Sequence, residues 1–369
     1  MGVNWGDLAL ELVSKVLLCC SWFCHRLGIV GVSRIASMCL RCVLLELIAI
    51  CVLPVHLLAM NVACGAPLLC IWLRRGEHDK SSARWSIGKS LAWFALGAYL
   101  LGLLTGGGLI LLPSAEDLRE AMGRFGNRTY WFAGSELLFS FLALWAYARL
   151  WDQVRLWRWV HAILAVAATS NLLYHFPPLM IVLGKLARDP AWSVESVIER
   201  SHFLELMIQP EVLSITIHFG LASLAVAALF VLALWARNDT QTSQKRICRI
   251  AAAIAFFASL LQLPIGIWVL AALPQVGRSA ILGEKIFVSV LFLASMIATF
   301  YLLQGLVKIA LGDFTPFDCW RVFWLTVCLV FVMTITMRLS RYEEQPGLVN
   351  FQKNSLELKL QAMGDFVCV

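Results

Sequence analysis

The sequence predicts an all-α protein, a polytopic bundle of about eight transmembrane helices preceded by an N-terminal interfacial helix. Apolar residues make up 60% of the chain and charged residues only 14%, whereas a soluble domain carries roughly 25% charged residues. The mean hydropathy is +0.78. Because the hydrophobic segments follow one another with short gaps, the 369 residues predict one helical bundle and not several soluble domains.

Eight runs reach the length of about 20 mostly apolar residues that a helix needs to cross a bilayer. In chain order, these predicted spans one to eight cover residues 43–73, 88–112, 129–149, 157–184, 210–236, 247–273, 282–311 and 318–337. Residues 1–42 hold a shorter apolar stretch interrupted by basic residues, which predicts an amphipathic, interfacial segment. The charged tail of residues 338–369 is predicted to lie in water, as a short helix plus disorder.

The charge pattern predicts the orientation of the bundle. The formal net charge is +7, and the loops after spans one, three and five are richer in Lys and Arg than the loops after even-numbered spans. Basic loops stay in the cytoplasm, so we expect the N-terminus outside. Since the basic residues form no separate domain, no nucleic-acid partner is expected.

Four ionisable side chains stand out within the spans, where a charged residue costs roughly 2.5 to 3.5 kcal/mol to insert. They are His56 in span one, Glu136 in span three, His175 in span four and His218 in span five. The predicted topology puts all four in the outer half of the bilayer. Such groups from separate helices at similar depth are what a buried haem or metal site requires. The alternative for each histidine is a hydrogen bond to a neighbouring backbone group or hydroxyl.

Three other features have simpler structural interpretations. His161, beside Trp157, Arg158 and Trp159, is expected in an aromatic belt at the inner interface. Phe176-Pro177-Pro178 indicates either a break in the helix that borders a site, or the end of the helix near the outer surface. Gly106-Gly107-Gly108 indicates close helix packing or a bend.

Several segments within roughly residues 43–300 carry a family resemblance. They are Leu53-Pro-Val-His56-Leu-Leu, Lys89 to Gly102 with the following Leu-Leu-Thr105-Gly, Phe125-Gly-Asn127 followed by Glu136, Ser170-Asn171, and Gln209-Pro210 with His218-Phe-Gly. These segments resemble subunit I of cytochrome bd-type quinol oxidases. In that family the segment similar to the one around His56 bears a ligand of the high-spin haem pair, and the segment similar to the one around His218 bears a ligand of the low-spin haem b.

The resemblance implies a haem b-binding electron-transfer subunit of a respiratory complex in the bacterial cytoplasmic membrane, with one or two b-type haems. His218 and His56 are then ligands of haem iron, Glu136 is a ligand or a proton relay, and His175 replaces a missing Met ligand. Partner subunits are implied, together with a quinone or a cytochrome as redox partner.

The sequence also departs from the family. Leu144 stands where a second third-helix Glu is expected, and Phe287 where the Met ligand is expected. The long quinol-binding loop is reduced to Leu273–Leu282, and the Gly-Arg-Gln-Pro-Trp motif is absent. The family's full oxidase reaction is therefore not implied, and no catalytic residue is assigned. The alternative is a haem-free membrane scaffold or transporter subunit that retains the fold, with Glu136 and the histidines lining a polar passage.

Overall fold

The computed structural model describes residues 32–75, 80–112, 115–153, 158–188, 197–237 and 245–340, with side chains from Leu44 onward except those of residues 46 and 158. In this part of the chain all regular structure is helical. The helices are α1 (Val32–Arg74), α2 (Ala83–Leu111), α3 (Glu116–Gly123), α4 (Asn127–Arg149), α5 (Arg158–Arg188), α6 (Arg200–Met207), α7 (Pro210–Arg237), α8 (Lys245–Ala272), α9 (Gln275–Ser279), a π-helical turn (Ala280–Glu284), α10 (Ile286–Leu311) and α11 (Pro316–Ser340). Residues 1–31 of the predicted interfacial segment, and the tail from residue 341, lie outside the described residues.

Eight of these helices are long and apolar enough to cross a membrane, namely α1, α2, α4, α5, α7, α8, α10 and α11. They coincide with the eight predicted spans, so the all-α fold class is confirmed. In hydrocarbon a helix satisfies its backbone hydrogen bonds internally, which is why uninterrupted apolar runs adopt this form. The chain is an integral membrane protein.

The chain divides into two compact units, Met1–Ala49 and Ile50–Val369. The described part of the first unit is the beginning of α1. In the second unit α7 is the most buried of the spanning helices, with 50% of its apolar window covered. It packs against α2, α5, α8 and α11, and small residues such as Ala225, Ala227 and Ala228 are buried along it. Small side chains let membrane helices approach closely, which suits the central position of α7.

Helix α5 continues through the proline pair that the sequence analysis singled out. Pro177 and Pro178 lie inside the helix, which ends only at Arg188. The interpretation that the helix ends near the prolines is therefore wrong. A proline lacks an amide hydrogen, so two carbonyl groups one turn earlier lose their usual donors. Membrane helices tolerate this loss where neighbouring groups or local adjustment satisfy the freed carbonyls.

Candidate functional site

His56 lies in α1 and faces α2. Its Nδ1 atom is 2.9 Å from the carbonyl oxygen of Gly102 and 3.4 Å from the hydroxyl of Thr105. A carbonyl oxygen only accepts hydrogen bonds, so Nδ1 carries the proton and Nε2 keeps its lone pair. A Cβ atom at Gly106 would lie 2.7 Å from Cε1 of this ring. The predicted close packing at the three glycines is thus confirmed at Gly106, whereas Gly107 has open space around it.

His218 lies in α7, and one of its ring nitrogens has no partner among the described residues. Its Nδ1 atom is buried and makes no hydrogen bond within the part of the chain that the structure describes. The backbone carbonyl of His218 accepts a hydrogen bond from Nε2 of Gln262 at 3.3 Å. A buried polar group left without a partner costs about 1–3 kcal/mol. The Nδ1 atom of His218 is therefore an unsatisfied polar group among the described residues.

The three candidate histidines occupy similar depths in the bundle. His56 precedes the end of α1 at Arg74, His218 precedes the end of α7 at Arg237, and His175 follows the start of α5 at Arg158. At 1.5 Å per residue these positions are about 27, 28 and 26 Å from the helix ends on that side.

His56 and His218 nevertheless point away from each other. Helix α1 contacts α7 at Asn61, whose Oδ1 accepts a hydrogen bond from Oγ of Ser223 at 2.9 Å, and at Gly65, where a Cβ would lie 2.5 Å from the carbonyl carbon of Ser223. His56 lies five residues before Asn61, and His218 lies five residues before Ser223. Five residues correspond to a rotation of about 140° around a helix, so both histidines face away from the contact. The structure therefore presents two separate imidazole positions at one level, on opposite sides of the α1–α7 contact.

Glu136 and His175 are brought together by α4 and α5. Oε1 of Glu136 is 3.9 Å from Nε2 of His175, with side chains 29% and 40% exposed. Asn171, one turn before His175, donates to the carbonyl of Glu136 at 3.0 Å and to the hydroxyl of Ser140 at 2.8 Å. We call these four residues the α4–α5 polar cluster. Its members recur four residues apart on each helix, which places them on facing sides.

A second polar cluster escaped the sequence analysis. Nη1 of Arg74 lies 3.1 Å from Nε2 of His161 and donates to the carbonyl of Trp151 at 3.0 Å, while its guanidinium covers the rings of Trp85 and Trp151. His161 also packs on Tyr147, with ring centroids 3.9 Å apart. We call these five residues the Arg74 cluster.

The Arg74 cluster corrects the interpretation of His161, which is only 2% exposed and is not an interfacial anchor. The cationic and aromatic contacts instead join the end of α1 to the starts of α2 and α5 and the end of α4. The sequence offered one signal, an arginine at a span end with tryptophans at neighbouring span ends. That signal is common to many membrane proteins.

Asp152, in the turn between α4 and α5, extends these contacts to the surface. Its carboxylate accepts hydrogen bonds from Nζ of Lys89 and from Nε1 of Trp85 at 3.3 Å. The bond from Lys89 is the main reason that the pKa of Asp152 lies below its ordinary value. The pair is 44% exposed on each side, so its contribution to stability is small.

No protein-family model matches the chain, and no curated protein matches it. The resemblance to cytochrome bd subunit I therefore stays a prediction. Within the described ranges, no three His, Cys, Asp or Glu side chains are grouped so as to hold a metal ion by themselves. A haem would need only axial ligands from the protein, so single imidazoles at separate positions are the relevant feature.

Proposed function

We propose that the protein is a haem b-binding electron-transfer subunit of a respiratory complex in the bacterial cytoplasmic membrane, with its N-terminus outside. His218 would hold one haem, and His56 would hold a second. The observation that carries the proposal is the buried Nδ1 of His218, which has no hydrogen-bond partner among the described residues. A buried imidazole that is incomplete in the polypeptide alone is the type of residue that a cofactor completes.

The hydrogen bonding of His56 supports its assignment. Histidines that bind metals usually donate their second ring N–H to a carbonyl or carboxylate, which fixes the tautomer and orients the ring. The bond from Nδ1 of His56 to the carbonyl of Gly102 has this form, and Nε2 retains the lone pair that iron would need. The opposite orientations of His56 and His218 favour two haems over one shared haem.

Glu136 and His175 have the chemistry to hold and pass a proton at the contact between α4 and α5. At 3.9 Å the carboxylate and the imidazole are separated by little more than a hydrogen-bond distance. We assign Glu136 as the proton relay in preference to a ligand, because its carboxylate lies beside the ionisable ring of His175. His175 would replace the missing Met ligand. A bound haem supplies one-electron redox chemistry, and partner subunits with a quinone or a cytochrome supply the donor and the acceptor.

The test is a reduced-minus-oxidised absorption spectrum of the protein purified with added haem. We expect a b-type band in the parent protein, loss of the low-spin signal in His218→Ala, and loss of a separate component in His56→Ala. His202→Ala, in the short helix α6, is the matched control and should leave the spectrum unchanged. Imidazole added to His218→Gly should restore the signal if the residue is a ligand. A parent protein with no b-type band, even after haem is added, would overturn the proposal.

A second candidate function is a haem-free transporter or scaffold subunit. The observation that favours it is the α4–α5 polar cluster, which places the partly exposed carboxylate of Glu136 and imidazole of His175 beside the amide of Asn171 and the buried hydroxyl of Ser140 along one helix contact. The measurement that separates the two candidates is proton flux into proteoliposomes that contain the haem-free protein. Flux that is lost in Glu136→Gln would favour the transporter, and absence of flux would exclude proton transport through the cluster.

A further inference from the structure

An open groove runs along the outside of the bundle between α7, α8 and α10. Its volume is about 770 Å³. Its walls are apolar and come from Leu221, Leu224, Ile254, Phe257, Leu261 and Ala310. None of the candidate haem ligands lines it, so the groove is independent of the proposed function.

Two arginines lie at one end of this groove. Arg246 and Arg249 are three residues apart in α8, and both are lining residues. Arg249 is held in place because its Nε donates to the carbonyl of Ala310 at 3.1 Å. In the described part of the chain neither arginine has a carboxylate partner. An apolar groove that ends in two arginines without a carboxylate partner among the described residues is complementary to an amphiphile with an anionic head.

The dimensions of the groove match one leaflet of a bilayer. From Arg246 to Leu261 the rise along α8 is about 22 Å at 1.5 Å per residue. Half of a bilayer, including its headgroup region, is about 20–22 Å thick. The arginines therefore lie at headgroup depth when the apolar walls span the acyl-chain region.

From these observations we infer that the groove binds a membrane phospholipid with an anionic headgroup. The phosphate lies against Arg246 and Arg249, and an acyl chain follows the apolar walls toward Leu261. A neutral ring compound such as a quinone would offer neither cation an anionic group, which is why a lipid is favoured. The sequence predicts that this end of the bundle faces the cytoplasm, where anionic lipids are concentrated.

The experiment measures lipid retained by the full-length protein in detergent, by native mass spectrometry. Dioleoyl phosphatidylglycerol is titrated against dioleoyl phosphatidylcholine, which has the same chains and no net charge. An arginine near a membrane surface contributes about fivefold to the binding of anionic lipid. We expect Arg246→Gln and Arg249→Gln each to weaken phosphatidylglycerol binding by about that factor. Arg278→Gln, in α9 beyond the opposite end of α8, is the matched control and should leave binding unchanged.

A second pair of variants tests the apolar walls without changing charge. Ala253 lines the groove, and Ala253→Phe should fill it and reduce lipid binding while both arginines remain. Leu260 is exposed on the same helix but does not line the groove, so Leu260→Phe should bind lipid as the parent does. The circular dichroism of all variants should be unchanged, which excludes loss of the fold.

Two outcomes would overturn the inference. Equal retention of both lipids, insensitive to the arginine variants, would mean that the groove takes ordinary annular lipid. Complete displacement of phosphatidylglycerol by inorganic phosphate, with no effect of Ala253→Phe, would mean a simple anion site. Because neither outcome involves the absorption spectrum, failure of this inference is distinguishable from failure of the haem proposal.

Discussion

Replacing Gly65 by Ala should destabilise the bundle, because this glycine allows α1 and α7 to touch. A Cβ at this position would lie 2.5 Å from the carbonyl carbon of Ser223 and even closer to its carbonyl oxygen. It would also lie 3.0 Å from Cβ of Ala227. The obstacle is backbone and not the flexible end of a side chain. Only a shift of one whole helix can relieve the contact.

The expected loss follows from three contributions. Bringing carbon atoms back to their optimal separation of about 3.5 Å requires a shift of about 1 Å, and overpacking of this kind costs about 1–3 kcal/mol. The shift also weakens the bond between Ser223 and Asn61, and such interhelical bonds average about 0.6 kcal/mol in membrane proteins. Ala improves helix propensity by about 0.5–1 kcal/mol. The net prediction is a loss of about 2 kcal/mol.

The measurement is the free energy of unfolding from titration with sodium dodecyl sulfate in mixed micelles, followed by tryptophan fluorescence. Gly97→Ala in α2 is the matched control, because a Cβ there meets nothing within 4 Å. The control should be as stable as the parent, or more stable by up to about 1 kcal/mol. If Gly65→Ala proved as stable as Gly97→Ala, the close α1–α7 contact would be refuted.

Two further predictions use the same titration. In Gly106→Ala the new Cβ would lie 2.7 Å from Cε1 of His56, so the ring should lose its bond to α2 and the free energy of unfolding should fall by about 1–2 kcal/mol. Gly107→Ala, where the Cβ has open space, should cost nothing. Equal losses in the two variants would contradict the packing of His56 on Gly106. The bond from Lys89 lowers the pKa of Asp152 below 3.8, so the stability it contributes is present above pH 3.8 and is lost as the pH falls through the lower folded-state pKa. Asp152→Asn should therefore lower the free energy of unfolding by about 0.2–1 kcal/mol at pH 7 and leave it unchanged below that folded-state pKa. A difference in stability between variant and parent that persisted in acid would show that the ion pair is not its source.

The number and position of the membrane spans could be predicted from the sequence. The run at 129–149 corresponds to Asn127–Arg149, and the run at 210–236 corresponds to Pro210–Arg237. Insertion into lipid depends on local hydrophobicity, which a sequence window records directly. The same local reasoning was wrong at Pro177, which lies inside a continuous helix. The hydrogen bond that a proline loses does not end a membrane helix when neighbouring groups or local adjustment satisfy the freed carbonyl.

Which side chains meet was decided by the tertiary structure. The free-energy cost of inserting an ionisable side chain into a bilayer singled out His56, Glu136, His175 and His218 in the sequence. Only the packing of the helices paired Glu136 with His175 and turned His56 toward α2. It also buried His161 against Arg74, which lies 87 residues earlier in the chain and at the end of another helix. The physical reason is that lipid-facing and buried faces of these helices are equally apolar, so hydrophobicity fixes that a helix spans but not how it is rotated or which neighbour it touches.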